Sequence, residues 1–112
     1  MKTSELTGPA LDWAVAKCEG HDAHHYKGVV YTTMHKRLGP ECNYSTDWAQ
    51  GGPIIQRERI RLDPRGHWVA GHDSSNDEYS GPTPLVAAMR AYVASKLVDE
   101  VEIPEELKEF TE

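Results

Sequence analysis

An α+β domain, with a small antiparallel sheet packed against two amphipathic helices, is what three features of this sequence predict. An apolar stripe of helical spacing lies near the start. A longer one follows a Thr-Pro pair at Thr83-Pro84. Between them lie a β-branched segment and a segment of strict alternation. Thr7-Gly8-Pro9 opens the first helix, with proline near the first helical position. Leu11, Ala14, Val15 and Cys18 then repeat at helical spacing, and Gly20 is the stop. The first helix is therefore expected over Pro9 to Glu19, with Trp13 to the side of its stripe.

Gly28-Val29-Val30-Tyr31-Thr32-Thr33 is β-branched and aromatic, and reads as a strand. Lys36 to Gly52 follows as a long connection broken by Gly39-Pro40 and Gly51-Gly52-Pro53. Connections of that length in small domains often carry function. A short helical turn is expected around Thr46-Asp47-Trp48. Ile54 to Leu62 alternates and reads as the clearest strand, with Ile55, Arg57, Arg59 and Arg61 on one face. Asp63-Pro64-Arg65-Gly66 has the chemistry of a turn, and His67-Trp68-Val69-Ala70 returns as the second arm of a hairpin. His72 to Ser80 is polar and loop-like. Thr83 caps the second helix and Pro84 takes its first position. Leu85, Ala88, Met89, Tyr92, Val93 and Leu97 supply the apolar stripe, giving a helix over Pro84 to Val98. Val101 and Ile103 suggest a short extended segment before an acidic end.

The chain has 112 residues and a net charge of −6, so one domain is expected. Seven acids and one base lie from Asp99 onward, which leaves eleven of each upstream. The reading is a compact domain over 1–98 and an acidic C-terminal tail over 99–112. A neutral body with an acidic end is poorly suited to duplex DNA, whose binding is dominated by phosphate neutralisation. The start lacks the apolar core of a secretory leader, and no run reaches the length of a membrane span. A cytoplasmic protein with reduced Cys18 and Cys42 and no membrane association follows as the expectation.

Four groups of residues could carry chemistry. On one strand face, Arg57, Arg59 and Arg61 would stand about 7 Å apart as a wall of guanidinium forks for phosphate. The plainer alternative is a solvated face paired with acids. Tyr31, Tyr44, Trp48, Trp68 and Tyr79 offer aromatic faces, of which Trp48 stands out because its surroundings are polar and glycine-rich. The start of the second helix at Thr83 favours an anion through its dipole, although two prolines remove donors and Thr83 capping its own helix is the simpler role. His21, His24 and His25 lie near Cys18 but match no metal motif, and read as a polar loop. No Walker loop, GxSxG, CxxC or HExxH is present. No catalytic residue, metal site or cofactor is therefore assigned.

Met1-Lys2-Thr3-Ser4-Glu5-Leu6 with Ala10-Leu11-Asp12-Trp13-Ala14-Val15-Ala16, Tyr44-Ser45-Thr46-Asp47-Trp48, Gly52-Pro53-Ile54-Ile55 and Gly81-Pro82-Thr83-Pro84-Leu85 with Ala87-Ala88-Met89-Arg90 and Val101-Glu102-Ile103-Pro104 resemble the NinX-like proteins of phages and prophages. Together these motifs cover most of the chain. The segment from Gly20 to Cys42, with its histidines, is not placed against that pattern. The resemblance implies a phage accessory protein acting in the cytoplasm of an infected bacterium, and implies no particular activity. Phage accessory proteins as a class include sponges for the nucleotide messengers of bacterial immunity. The resulting expectation is a homo-oligomeric protein that sequesters a cyclic dinucleotide or ADP-ribose derivative without cleaving it. Tyr44 and Trp48 would stack on the base, and Arg57, Arg59 and Arg61 would pair phosphates. Asp47 would accept from a ribose hydroxyl or base amine, and Thr83 would bond a ligand oxygen. The alternatives are a module that inhibits a host or phage protein, and a small metal-dependent phosphodiesterase.

Overall fold

The structure, a computed structural model, describes residues 2–34, 37–73, 75–97 and 102–108. Two three-stranded antiparallel sheets carry three main helices: α1 (Gly8–Cys18), α2 (Trp48–Glu58) and α3 (Pro84–Leu97). The fold class is therefore α+β, with one more sheet and one more helix than the sequence reading expected. The first sheet is β1 (Ala23–Tyr26), β2 (Val29–Met34) and β3 (Arg37–Glu41), in that order. The second is β4 (Ile60–Pro64), β5 (Trp68–His72) and β6 (Tyr79–Gly81). A short helix, α4 (Glu105–Lys108), closes the described chain.

The first helix lies within one residue of its expected bounds. Ala10, Leu11, Ala14 and Val15 are fully buried, while Trp13 sits partly exposed beside them. The His-rich segment is a correction. His24 and His25 belong to β1, which pairs with β2 through the two-residue turn Lys27-Gly28. Both turn residues have positive φ, 50° and 80°, as a type I′ hairpin requires. The Lys36–Gly52 connection is also more ordered than expected, because it contains β3 and the start of α2. Pro40 is tolerated in β3 because that strand is at a sheet edge.

The largest correction falls on Ile54–Leu62. Residues up to Glu58 are helical, not extended. Asp47 starts the helix by accepting from Ala49 N–H at 2.9 Å, an N-cap bond that outweighs the breaker signal of Gly51-Gly52-Pro53. Gly51 and Ile54 then form its buried face. The helix ends at Arg59 in the left-handed conformation, φ 56°, and β4 begins one residue later. Arg57, Arg59 and Arg61 thus occupy a helix, its C-cap and a strand, and do not share a strand face.

The β4–β5 hairpin forms around Asp63–Gly66 as expected, with Pro64 opposite Trp68. The segment read as a polar loop adds β6 to the same sheet. In α3, Thr83 Oγ1 accepts from Val86 N–H at 3.1 Å, and Leu85 through Met89 and Ala91 through Val93 are all buried. This helix is the central element, packing on α1, α2 and the second sheet. Within the segment read as an acidic tail, Ile103 and Leu107 join the core. Apolar burial thus continues past the expected domain boundary. Residues 98–101 and 109–112, with Val98, Asp99, Glu100, Val101, Glu109 and Glu112, lie outside the described residues.

Candidate functional site

The starts of α2 and α3 face one cleft of about 220 Å³, lined by Ser45, Thr46, Trp48, Thr83, Pro84 and Leu85. Two motifs 35 residues apart in the sequence meet there. Gly51 permits the approach: a Cβ at that position would stand 2.5 Å from Tyr44 O and 2.7 Å from Leu85 Cδ2. Only the smallest residue lets α2 lie this close to both the Tyr44–Thr46 turn and α3.

Trp48 forms the rim, and it is 53% exposed. The ring therefore presents a face to solvent and stays out of the core. Thr83 uses an acceptor lone pair on its own helix, which leaves the hydroxyl proton available for donation. Ser45 is buried. Its backbone N–H donates to Asp12 Oδ1 at 2.8 Å. Burial pushes the Asp12 carboxyl up to about 6, against the stabilising bonds from the Ser45 backbone and side chain. Both helix dipoles present their positive ends to this region. The arrangement suits a ligand with a stacking face and a negative or strongly accepting group.

The other residues expected in the site are placed differently. Asp47 spends one carboxylate oxygen on the α2 cap. Tyr44 packs partly against the core, and burial pushes its phenol up to about 12. Neither lines the cleft, although both flank the turn that does. The three arginines lie away from it and hold acids. Arg57 donates to Glu19 at 2.7 Å and to Glu58 at 3.0 Å. It also reaches the Tyr92 hydroxyl at 3.2 Å. Tyr92 in turn makes a short hydrogen bond to Glu19. The Arg57 guanidinium holds the Glu19 carboxyl below its ordinary value, against burial. Arg59 pairs with Asp73 at 2.9 Å. Arg61 donates to His72 O, Ser75 O and Glu78. A phosphate would have to displace carboxylates to reach any of them.

Ser45 and Thr46 belong to the motif that the sequence singles out, but only the fold shows that they face Thr83. Among the described residues, no three His, Cys, Asp or Glu side chains gather as a metal site. Burial pushes both thiols, Cys18 and Cys42, up to about 11, so neither is a nucleophilic thiolate at neutral pH. No described helix is long and apolar enough to cross a membrane.

The family model described as "Bacteriophage P22, NinX" matches residues 2–96, and the chain belongs to that family. No curated protein matches the sequence.

Proposed function

We propose that this NinX family protein binds a nucleotide-type signal of bacterial immunity, a cyclic dinucleotide or ADP-ribose derivative, and withholds it from its receptor without cleaving it. The observation that carries the reading is the half-exposed Trp48 ring on the rim of a cleft flanked by two helix N-termini. Trp48 stacks on a base, a contact of about 1–3 kcal/mol. The dipoles of α2 and α3 and the hydroxyl of Thr83 receive a phosphate or ribose oxygen. Tyr44 and Asp47 hold the turn that presents Trp48. A cleft of about 220 Å³ is small beside the roughly 300–1,000 Å³ of ordinary ligand pockets. It accommodates one base or one phosphate, so a second copy of the chain completes the enclosure.

The test is to incubate purified protein with a panel of cyclic dinucleotides and ADP-ribose derivatives. Depletion is measured first, then the protein is heat-denatured and the released compound identified by mass spectrometry. Intact recovery of a depleted compound supports sequestration, and Trp48→Ala must abolish the depletion. Recovery of a cleaved compound, sensitive to a chelator, makes the protein a metal-dependent phosphodiesterase instead. If nothing is depleted, the exposed aromatics serve a protein partner.

A further inference from the structure

A second cleft, of about 320 Å³, lies between β5, the segment leading to β6 and the outer half of α3. It shares no lining residue with the Trp48 cleft. We propose that it binds a neutral polyhydroxylated ring through a vicinal diol, as a sugar or a ribose presents.

Charge decides against an anion. Glu58 and Asp77 line the cleft against Lys96, and Arg57 behind them is already spent on Glu58 and Glu19, so no cation is left in excess for an anion. Both His72 Nε2 and Lys96 Nζ stand 3.8 Å from the same Glu58 Oε1. That separation is too long for a direct hydrogen bond. Glu58 Oε1 therefore retains accepting capacity, and two donors face it. A hydroxyl group donates once and accepts twice. One ligand hydroxyl can donate to Glu58 while accepting from Lys96 or His72, and a neighbouring hydroxyl can take the other donor. A charged ligand of either sign would leave one of these groups opposed.

The surroundings fit the same chemistry. Ala91 and Ala94 line the cleft with small side chains, and Gly71 lets the Asp77 backbone approach, since a Cβ there would stand 2.5 Å from Asp77 O. The site is also held in advance of any ligand. Arg61 Nη1 donates to His72 O at 2.5 Å and Ser75 O at 3.0 Å, which ties down the segment carrying Asp77. Arg57 Nε fixes Glu58 at 3.0 Å. The arginines thus act behind this cleft as supports, a form of preorganisation that lowers the cost of binding.

The test is titration of the ¹⁵N-labelled full chain with D-ribose, adenosine and D-glucose, with 2′,3′-dideoxyadenosine as the probe lacking a diol. The expected result is saturable shifts at Glu58, Gly71, His72, Asp77 and Lys96 with a diol probe, and none with dideoxyadenosine. Ribose and adenosine against glucose separate a nucleoside source from a hexose. Glu58→Gln weakens binding about tenfold or more through the lost charged acceptor. Ala94→Leu, which fills the cleft with a good helix former, removes it. Shifts confined to the Trp48 cleft, equal shifts with dideoxyadenosine, binding retained in folded Ala94→Leu, or no shift with any diol probe overturn the proposal.

Discussion

Gly51 of α2 lies directly against Leu85 of α3, so close that a Cβ on Gly51 would come within 2.7 Å of Leu85 Cδ2. This contact sets the spacing of the two helix starts and hence the width of the Trp48 cleft. Gly51→Ala would gain about 1 kcal/mol of helix propensity in an open helix. Here the methyl also meets the carbonyl oxygen of Tyr44 at 2.5 Å, and backbone cannot yield as a side-chain tip does. A net loss of about 1–3 kcal/mol is expected, read by urea denaturation. Gly52→Ala, one position along, meets only Trp48 Cε3 at 3.7 Å and is the control expected to be neutral or stabilising. Equal effects of the two would remove the close approach as an explanation.

Trp48→Ala separates site from fold. The ring is half exposed and outside the core, so stability should change by less than about 1 kcal/mol, while depletion of the proposed nucleotide is lost. Thr83→Ala behaves differently: it removes the α3 cap and costs about 1 kcal/mol, and Thr83→Ser restores it. A Trp48→Ala protein that still depletes the compound would place the ligand elsewhere.

What the sequence made legible was local. The α1 stripe, the Asp63–Gly66 turn and the Thr83-Pro84 helix start each rest on chemistry carried within a few residues, and each recurs in the structure. Ile54–Leu62 misled because its alternation is also compatible with a helix followed by a strand. The deciding signal, the Asp47 cap, lies seven residues upstream of Ile54. The His24-His25 strand pairs just across the Lys27-Gly28 turn, but its own residues carry no β-branched or alternating apolar signal, and the second sheet's third strand is only the three residues Tyr79–Gly81. Trp48 and Thr83 were each legible as individual candidates. Their sharing one cleft was not, because it depends on Gly51 being small, a property that reads in sequence as a helix breaker.

Arg59 tests the corrected boundary. As a left-handed C-cap it carries a strain that glycine does not, about 1–2 kcal/mol for a non-glycine residue. Its ion pair with Asp73 is mostly exposed and worth little. Arg59→Gly is therefore expected to be neutral or stabilising by up to about 1 kcal/mol, and Arg59→Val clearly destabilising. On a continuous strand the order would reverse, since valine favours and glycine weakens a strand. Thermal melts of the two variants decide it. Neither should alter occupancy of the Trp48 cleft, from which Arg59 is absent.

Asp12 gives the protein a pH dependence of a particular sign. Its folded carboxyl holds its proton up to about pH 6, against 3.8 for the ordinary group. The folded state therefore binds more protons between those values, and the Asp12 contribution to stability falls as pH rises from about 4 to 6 and is flat above. A shift of about two units corresponds to roughly 3 kcal/mol at most. Asp12→Asn keeps an acceptor for Ser45 N–H and carries no charge. It should exceed the parent by about 1–3 kcal/mol at pH 8, with the gap closing by pH 4. Denaturation of both proteins across that range is the measurement. A gap independent of pH would assign the effect to packing.

Leu107 is fully buried and Ile103 nearly so, although both sit in a segment whose composition suggests a solvated acidic end. The acids of α4 face outward: Glu105 and Glu106 are exposed, and Lys108 pairs with Glu105 at 3.0 Å. One apolar residue per turn is then enough to dock the helix against α1, with burial of a leucine contributing about 1.5–3 kcal/mol. Leu107→Ala should cost about 2–4 kcal/mol, while Glu102→Ala, an exposed neighbour, should stay within about 0.5 kcal/mol. Chemical denaturation of the two variants distinguishes a docked helix from a frayed end. In a frayed end the two substitutions would be equally silent, and the core would have to close over α1 without Leu107.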